Sequence, residues 1–220
     1  MRTLIVSATH LELKPLLEEA VKVNRVDDKL SSYNLDGKEF DLLCTGVGMV
    51  ATSFHMGRVL SSHKYDRVIN AGIAGSFEKN IPLGTVVEIV EDQFPEMGAE
   101  DGEHFLSLLD LELIEADDFP YQSGVLSNAQ GIRSLTYPKV KSITVNTAHG
   151  SEERIARTEK RFRPQVESME GAAFFYACKT AKIPCVQIRA ISNYVERRNK
   201  DSWDIPIAIQ RLNTEILKLI

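Results

Sequence analysis

Cysteine is scarce in this 220-residue chain, and metal-binding patterns are missing from it. Three cysteines, Cys44, Cys178 and Cys185, are odd in number and sit among apolar residues. They read as reduced core thiols of a cytosolic protein, not as a disulfide framework. There is no C-x-x-C and no H-E-x-x-H, and His10, His55, His63, His104 and His149 share no ligand spacing, so neither a metal nor another cofactor is expected. With 13 glycines and 8 prolines the chain is neither collagenous nor low in complexity. No uncharged apolar run approaches the roughly 18 residues of a membrane span. The start, Met1–Ala8, lacks the basic region and following apolar stretch of a signal peptide and is expected to be a first strand. Positive charge is also in deficit: the formal net charge of −5 argues against nucleic acid as the main partner. An anionic small substrate is still allowed, since it needs only one local cation. What remains, 43% apolar and 26% charged residues, is the composition of a soluble globular chain, read as one domain over 1–220. At this size folding buries roughly 70% of the unfolded chain's surface without a staple.

The patterning alternates strands with helices. Strands are expected over 3–8, 31–36, 38–45, 66–70, 84–90, 140–145 and 183–191, with Asp36-Gly37 as a hairpin turn. Helices are expected over about 11–20, 49–62, 152–161, 168–182 and 203–219, the last with an apolar stripe of Ile205, Ile209, Leu212, Ile216 and Leu219. Ala71–Ser76 reads as a small-residue loop, and 94–135 is the least readable region. The class is therefore α/β, one central mixed sheet flanked by helices. In such sheets ligands bind beyond the carboxyl ends of strands, so residues just after strands carry the interest.

Four constellations stand there. Thr9-x-x-Glu12 fits a helix capping box, the reading the pattern alone favours; the other is a carboxylate projecting into a cleft. The Gly72 loop lets a ligand, or a packed neighbour, approach the backbone closely; it is neither a Walker A loop nor G-x-G-x-x-G. Glu170, in Ser168-Met169-Glu170-Gly171, suits a helix N-terminus or the paired hydroxyls of a ribose. Arg189, within the apolar run 183–191, needs a partner. Asn193, after Ser192, is a turn former or an amide for the edge of a purine.

Glu12, Thr45-Gly46-Val47-Gly48, Asn70-Ala71-Gly72-Ile73-Ala74-Gly75, Ser168-Met169-Glu170-Gly171 and Arg189-Ala190-Ile191-Ser192-Asn193 occur in an order that resembles the nucleoside phosphorylase and nucleosidase family along nearly the whole chain. Its hydrolases are the nearer likeness, because the Gly-Asp-Pro and Arg that hold phosphate in the phosphorylases are replaced by Ser7-Ala8-Thr9-His10. The chain departs from the adenine-specific methylthioadenosine/S-adenosylhomocysteine nucleosidases at Ser168, where they have Glu, and at Asn193, where they have Asp. The segment Ser192–Asn199 with Trp203 resembles the futalosine hydrolase branch, which releases hypoxanthine in the alternative menaquinone pathway.

The resemblance implies a fold and a division of labour. Glu12 activates water, Glu170 grips the ribose hydroxyls, Met169 packs on the sugar, and Asn193 holds the purine with Ser192 steadying it. Ser76 and Gly72 line the sugar and water side, Ser168 lies nearby, His149 is near the base, and Arg189 pairs with Glu12. Arg133, Arg197 and Arg198 are open candidates for the benzoate of futalosine. A homodimer or larger assembly is implied. The rival readings are an adenine nucleosidase, a phosphorylase, and a non-catalytic purine-binding protein.

Overall fold

The computed structural model describes residues 1–128 and 136–220. In chain order the elements are β1 (Thr3–Ser7), α1 (Lys14–Glu19), β2 (Val21–Arg25), β3 (Leu30–Leu35), β4 (Lys38–Cys44), α2 (Met49–Ser62) and β5 (Arg67–Ser76). Then follow β6 (Val86–Asp92), β7 (Gly98–Asp101), β8 (His104–Ser107), β9 (Leu126–Ser127), β10 (Lys139–Thr144), α3 (Glu152–Phe162), β11 (Val166–Ser168), α4 (Gly171–Thr180), β12 (Cys185–Tyr194) and α5 (Ile205–Leu219).

The main sheet runs β2-β3-β4-β1-β5-β12-β6-β10-β11, and β11 also pairs antiparallel with β5. That second pairing closes β5, β12, β6, β10 and β11 into a ring. Strands β4, β1, β5 and β12 are mutually parallel, so their carboxyl ends open along one edge. The β12–β6 and β3–β4 pairings are antiparallel, which makes the sheet mixed, as expected. Every residue of β1 is buried because the strand lies between β4 and β5 with both faces covered. On one face Leu4 and Val6 pack with Met56 and Val59 of α2 and with Phe174, Phe175 and Cys178 of α4. On the other, Ile5 packs with Leu13 and Leu16 near α1 and with Leu212 and Ile216 of α5. All three cysteines are buried and free. Among the described residues no helix is long and apolar enough to cross a membrane.

Several expectations are corrected. Ala71–Ser76 is not a loop: it continues β5, in register with β12 as far as Ser76 opposite Tyr194. Small residues there let two neighbouring strands and their buried side chains come close. Likewise Ser192 and Asn193 lie within β12, where the register shifts between Ile191 and Asn193 and leaves Ser192 as the extra residue of a bulge. Ser168 ends strand β11, and the helix begins three residues later at Gly171. β2 was not anticipated; all five of its residues are exposed, so it carries no burial pattern. The Asp36-Gly37 hairpin stands, with φ of 51° and 84° at the two turn residues.

Asp41 ties the amino-terminal edge together. It accepts from Arg2 Nη2 (2.8 Å), Ser32 Oγ (2.6 Å) and the Tyr65 hydroxyl (2.9 Å). Burial pushes its carboxyl up, but the hydrogen bonds from Ser32, Tyr65 and Arg2 outweigh it and hold the group below the ordinary carboxylate value. A depressed value contributes stability above the unfolded pKa that is lost as pH falls through the folded one. Asp41→Asn is expected to cost about 2 kcal/mol at pH 7. In urea denaturation the gap from the natural protein stays constant down to about pH 5 and narrows below about pH 4.

Candidate active site

The chain leaves β1 at Ser7 and turns through residues 10–13 before α1, and Glu12 lies in that turn. Its Oε2 accepts from Ser7 Oγ (3.0 Å), Thr9 N (2.9 Å) and Thr9 Oγ1 (3.1 Å). Oε1 accepts only from Ile73 N of β5, at 3.2 Å. The backbone half of a capping box is therefore present, yet it caps no helix: α1 begins two residues later, with Leu13 at its N-cap. The turn is pinned from the other side by Asn213 of α5. The Asn213 amide donates to Glu12 O (2.8 Å) and Ile209 O (2.7 Å) and accepts from Leu16 N (3.1 Å). Glu12 is thus a nearly buried carboxylate with one oxygen held by three donors and the other by a single main-chain N–H.

Glu170 immediately precedes α4. Its Oε1 accepts from Gly48 N (2.9 Å), in the turn after β4 where Gly46 and Gly48 have φ of 93° and 97°. Those positive angles are open to glycine and costly to other residues. Its Oε2 lies 4.0 Å from Arg189 Nη2. Burial raises the Glu170 carboxyl above its ordinary value, with Arg189 countering part of the rise. Arg189 therefore pairs with Glu170, a correction to the expected pairing with Glu12. Two other contacts explain the difference: Glu12 already holds three donors on one oxygen, and the Arg189 guanidinium reaches Gln187 Oε1 at 3.5 Å. Arg189 is completely buried, and its Nε and Nη1 have no hydrogen-bond partner among the described residues.

Glu12, Glu170 and Asn193 line one cavity of about 420 Å³, a size that suits a nucleoside. Ser168, Met169, Ser192 and His149 line it as well. Asn193 Nδ2 donates to Tyr194 O (3.1 Å), and its Oδ1 accepts from Ser192 Oγ (2.8 Å). One N–H of the amide remains unused. The His149 ring is engaged at both nitrogens, with Glu167 Oε2 (2.6 Å) and Thr158 Oγ1 (2.9 Å), so only its carbon surface is left for a ligand. Three expected residues fall outside the lining: Arg189, Ser76 and Gly72. Ser76 Oγ is turned to Glu78 O (2.9 Å) and Gln165 O (3.3 Å), fully buried at the end of β5. Gly72 makes room for protein and not for ligand: a Cβ there would overlap Arg189 Nη1 and stand 2.8 Å from Glu12 Oε1.

Sequence reasoning did not single out Glu167, Asn213, Leu11, Ile205 or Ile209. Glu167 fixes His149, accepting from its backbone N at 3.0 Å as well as from its ring. Ile205 and Ile209 belong to the α5 stripe but line the cavity. Arg198 lines it too, its guanidinium 5.0 Å over the Trp203 ring, whereas Arg197 does not. Arg133 lies outside the described residues. Among the described residues no three His, Cys, Asp or Glu side chains are grouped to hold a metal ion.

Residues 2–220 match the phosphorylase superfamily. The chain belongs to that superfamily. Futalosine hydrolase of Streptomyces coelicolor is 29% identical over 188 residues, covering 82% of this chain and 78% of that one. Futalosine hydrolase of Acidothermus cellulolyticus is 31% identical over 181 residues, covering 78% and 71%. A crystal structure of the 5′-methylthioadenosine/S-adenosylhomocysteine nucleosidase of Colwellia psychrerythraea, in complex with adenine, superposes with a TM-score of 0.79 at 22% identity, over 100% of this chain and 94% of that one. The fold is therefore the superfamily's, and within it the chain groups with N-glycosyl hydrolases.

For this superfamily member Gly72 is the tightest point of the site. Gly72→Ala is expected to displace Arg189 and Glu12 together. The kcat/KM for nucleoside hydrolysis falls at least about 100-fold, the scale of losing a positioned acid or base, and the apparent melting temperature drops as well.

Proposed function

We propose that the protein hydrolyses the N-ribosidic bond of futalosine, releasing hypoxanthine and dehypoxanthine futalosine, and so serves menaquinone synthesis. The single observation that carries this reading is the fixed polarity of Asn193. The Tyr194 carbonyl beside Nδ2 and the Ser192 hydroxyl beside Oδ1 orient the amide so that a donor is left for the ligand. Hypoxanthine presents acceptors at O6 and N7, whereas adenine presents a donor at position 6. A site whose buried polar group is left unpaired discriminates by several kcal/mol in favourable cases.

In the proposed reaction the C1′–N9 bond lengthens toward an oxocarbenium-like state. Glu12 Oε1 takes a proton from water, and the water oxygen bonds to C1′. The electron pair of the broken bond leaves with the purine, where charge spreading onto O6 meets the Asn193 N–H. Glu170 accepts from the ribose hydroxyls, and Met169 packs on the sugar. At the other end, Arg198 is the cation for the benzoate. It makes no ion pair among the described residues, while the neighbouring Glu196 is matched by Lys79 at 3.2 Å. Stacking on Trp203 holds the guanidinium plane where a carboxylate can be met.

The adenine nucleosidase reading draws on the Colwellia relative and predicts the opposite base preference. Incubation with futalosine in phosphate-free buffer, followed by chromatography of the released base, tests both. Hypoxanthine release is expected, abolished to within 1% by Glu12→Gln, with adenine nucleosides turned over at least about 100-fold more slowly. Adenine preferred, or a requirement for phosphate with ribose 1-phosphate formed, overturns the proposal. Binding of hypoxanthine with no base released from any nucleoside, so that Glu12→Gln changes nothing measurable, leaves only a binding protein; release that Glu12→Gln does not slow overturns the role of Glu12. Asn193→Asp shifts preference toward adenine. Arg198→Ala raises KM for futalosine roughly 10- to 100-fold and leaves inosine, which has no carboxylate, unchanged, consistent with the loss of one charged hydrogen bond.

A further inference from the structure

Behind the cavity wall lies a buried polar cluster that the reaction above does not use. Asp92, at the end of β6, is fully buried. Its Oδ2 accepts from Gln187 Nε2 at 3.1 Å, and its Oδ1 accepts from Thr144 Oγ1 at 3.0 Å and Gln93 N at 2.9 Å. Each side-chain partner leads to the active site. Gln187, having given its N–H to Asp92, must turn Oε1 the other way, where it accepts from Asn70 Nδ2 (3.0 Å) and faces Arg189 Nη2 (3.5 Å). Thr144, having donated to Asp92, accepts from Ala172 N at 2.7 Å, in the first turn of the helix that follows Glu170. Gly171 brings that helix directly onto the pair: a Cβ there would overlap Asp92 Oδ2 and stand 2.6 Å from Gln187 Nε2.

We propose that Asp92 is a positioning residue that fixes the Arg189–Glu170 pair from both sides, orienting the Gln187 amide toward Arg189 and tethering the helix start that carries Glu170. Its acceptors set the direction of every hydrogen bond in the chain. An amide at position 92 would face Gln187 Nε2 donor to donor. Relief by rotation of Gln187 would then point N–H groups at Asn70 and at the Arg189 cation. Burial pushes the Asp92 carboxyl up to about 6, opposed by Gln187, Thr144 and Arg189, so near neutral pH it is chiefly the ionised acceptor that the geometry requires.

The inference rests on the nucleosidase reading in one respect, that Glu170 holds the ribose. A pair of variants tests it. Asp92→Asn reverses the polarity at one end; adding Gln187→Glu restores a donor facing an acceptor across that contact, with the charge moved from position 92 to its hydrogen-bond partner at 187. Two readouts are taken: KM and kcat for a purine nucleoside, and the ¹⁵Nη resonances of labelled arginine, with Arg189 assigned by Arg189→Lys. Asp92→Asn is expected to raise KM at least about tenfold with kcat changed less than about threefold, the signature of lost ribose binding. It also shifts the Arg189 resonance, and the double variant restores both. An unchanged KM and resonance in Asp92→Asn, or a double variant that folds yet stays as impaired as the single one, overturns the proposal. If Asp92→Asn does not fold, the double variant decides alone: it must fold with near-natural KM and resonance, and its failure to do so overturns the proposal. If the natural protein releases no base from any nucleoside, the functional reading fails by itself, and the Arg189 resonance still decides the role of Asp92.

Discussion

A guanidinium with no solvent exposure sits in an interior strand of the sheet, flanked by β5 and β6, and the rest of the site is arranged around it. A buried charge is costly unless matched, and Arg189 is matched by geometry more than by contact. One carboxylate stands 4.0 Å away, one amide oxygen is turned toward it, and a second carboxylate lies across Gly72. Two glycines that read as loop or helix-start residues are needed because this charge and its counter-groups occupy the space their side chains would take. Glu12 and Glu170 gain their positions the same way. Each accepts from a main-chain N–H supplied by a different parallel strand, Ile73 within β5 for one and Gly48 in the turn beyond β4 for the other. The site is therefore a property of how four strands end, not of any one loop.

Much of this was legible in the sequence, and the failures share a cause. Buried strands with a continuous apolar run, such as β1, and helices with clear periodicity, such as α5, announce themselves through burial. The stretch Ala71–Ser76 did not, because alanine and glycine are what a strand uses when neighbours must come close, and the same letters spell a loop. Nor did β2, an exposed edge whose side chains bury nothing. Glu12, Glu170 and Asn193 were legible through their order along the chain. The partner of Arg189 was not, since the choice between two acids depends on distances of an ångström or so that no spacing encodes. Asn213 and Asp92 escaped for a related reason: they act through hydrogen bonds to groups 201 and 95 residues distant.

In the function proposed above, the two ends of the cavity use opposite kinds of chemistry. At the Asn193 end a neutral amide is held rigid by a carbonyl and a hydroxyl, so recognition depends on the direction of an N–H. At the Arg198 end a cation rests on an indole face, so recognition depends on charge. Between them the sugar region sets Glu12 and Glu170 beside the apolar Met169. A ligand that satisfies all three must carry an acceptor-rich base, vicinal hydroxyls and an anionic arm, a combination more selective than any of its parts.

The ring closed by β11 on β5 separates the alignment of the site from part of the surface. Among the described residues between β6 and β10, β9 pairs with a ring strand, whereas β7 and β8 pair only with each other. Because the ring is joined by its own pairings, the register that aligns the two acids and the amide does not pass through that small hairpin. A change confined to the hairpin then alters what the protein presents outside the cavity and leaves the interior chemistry as it is.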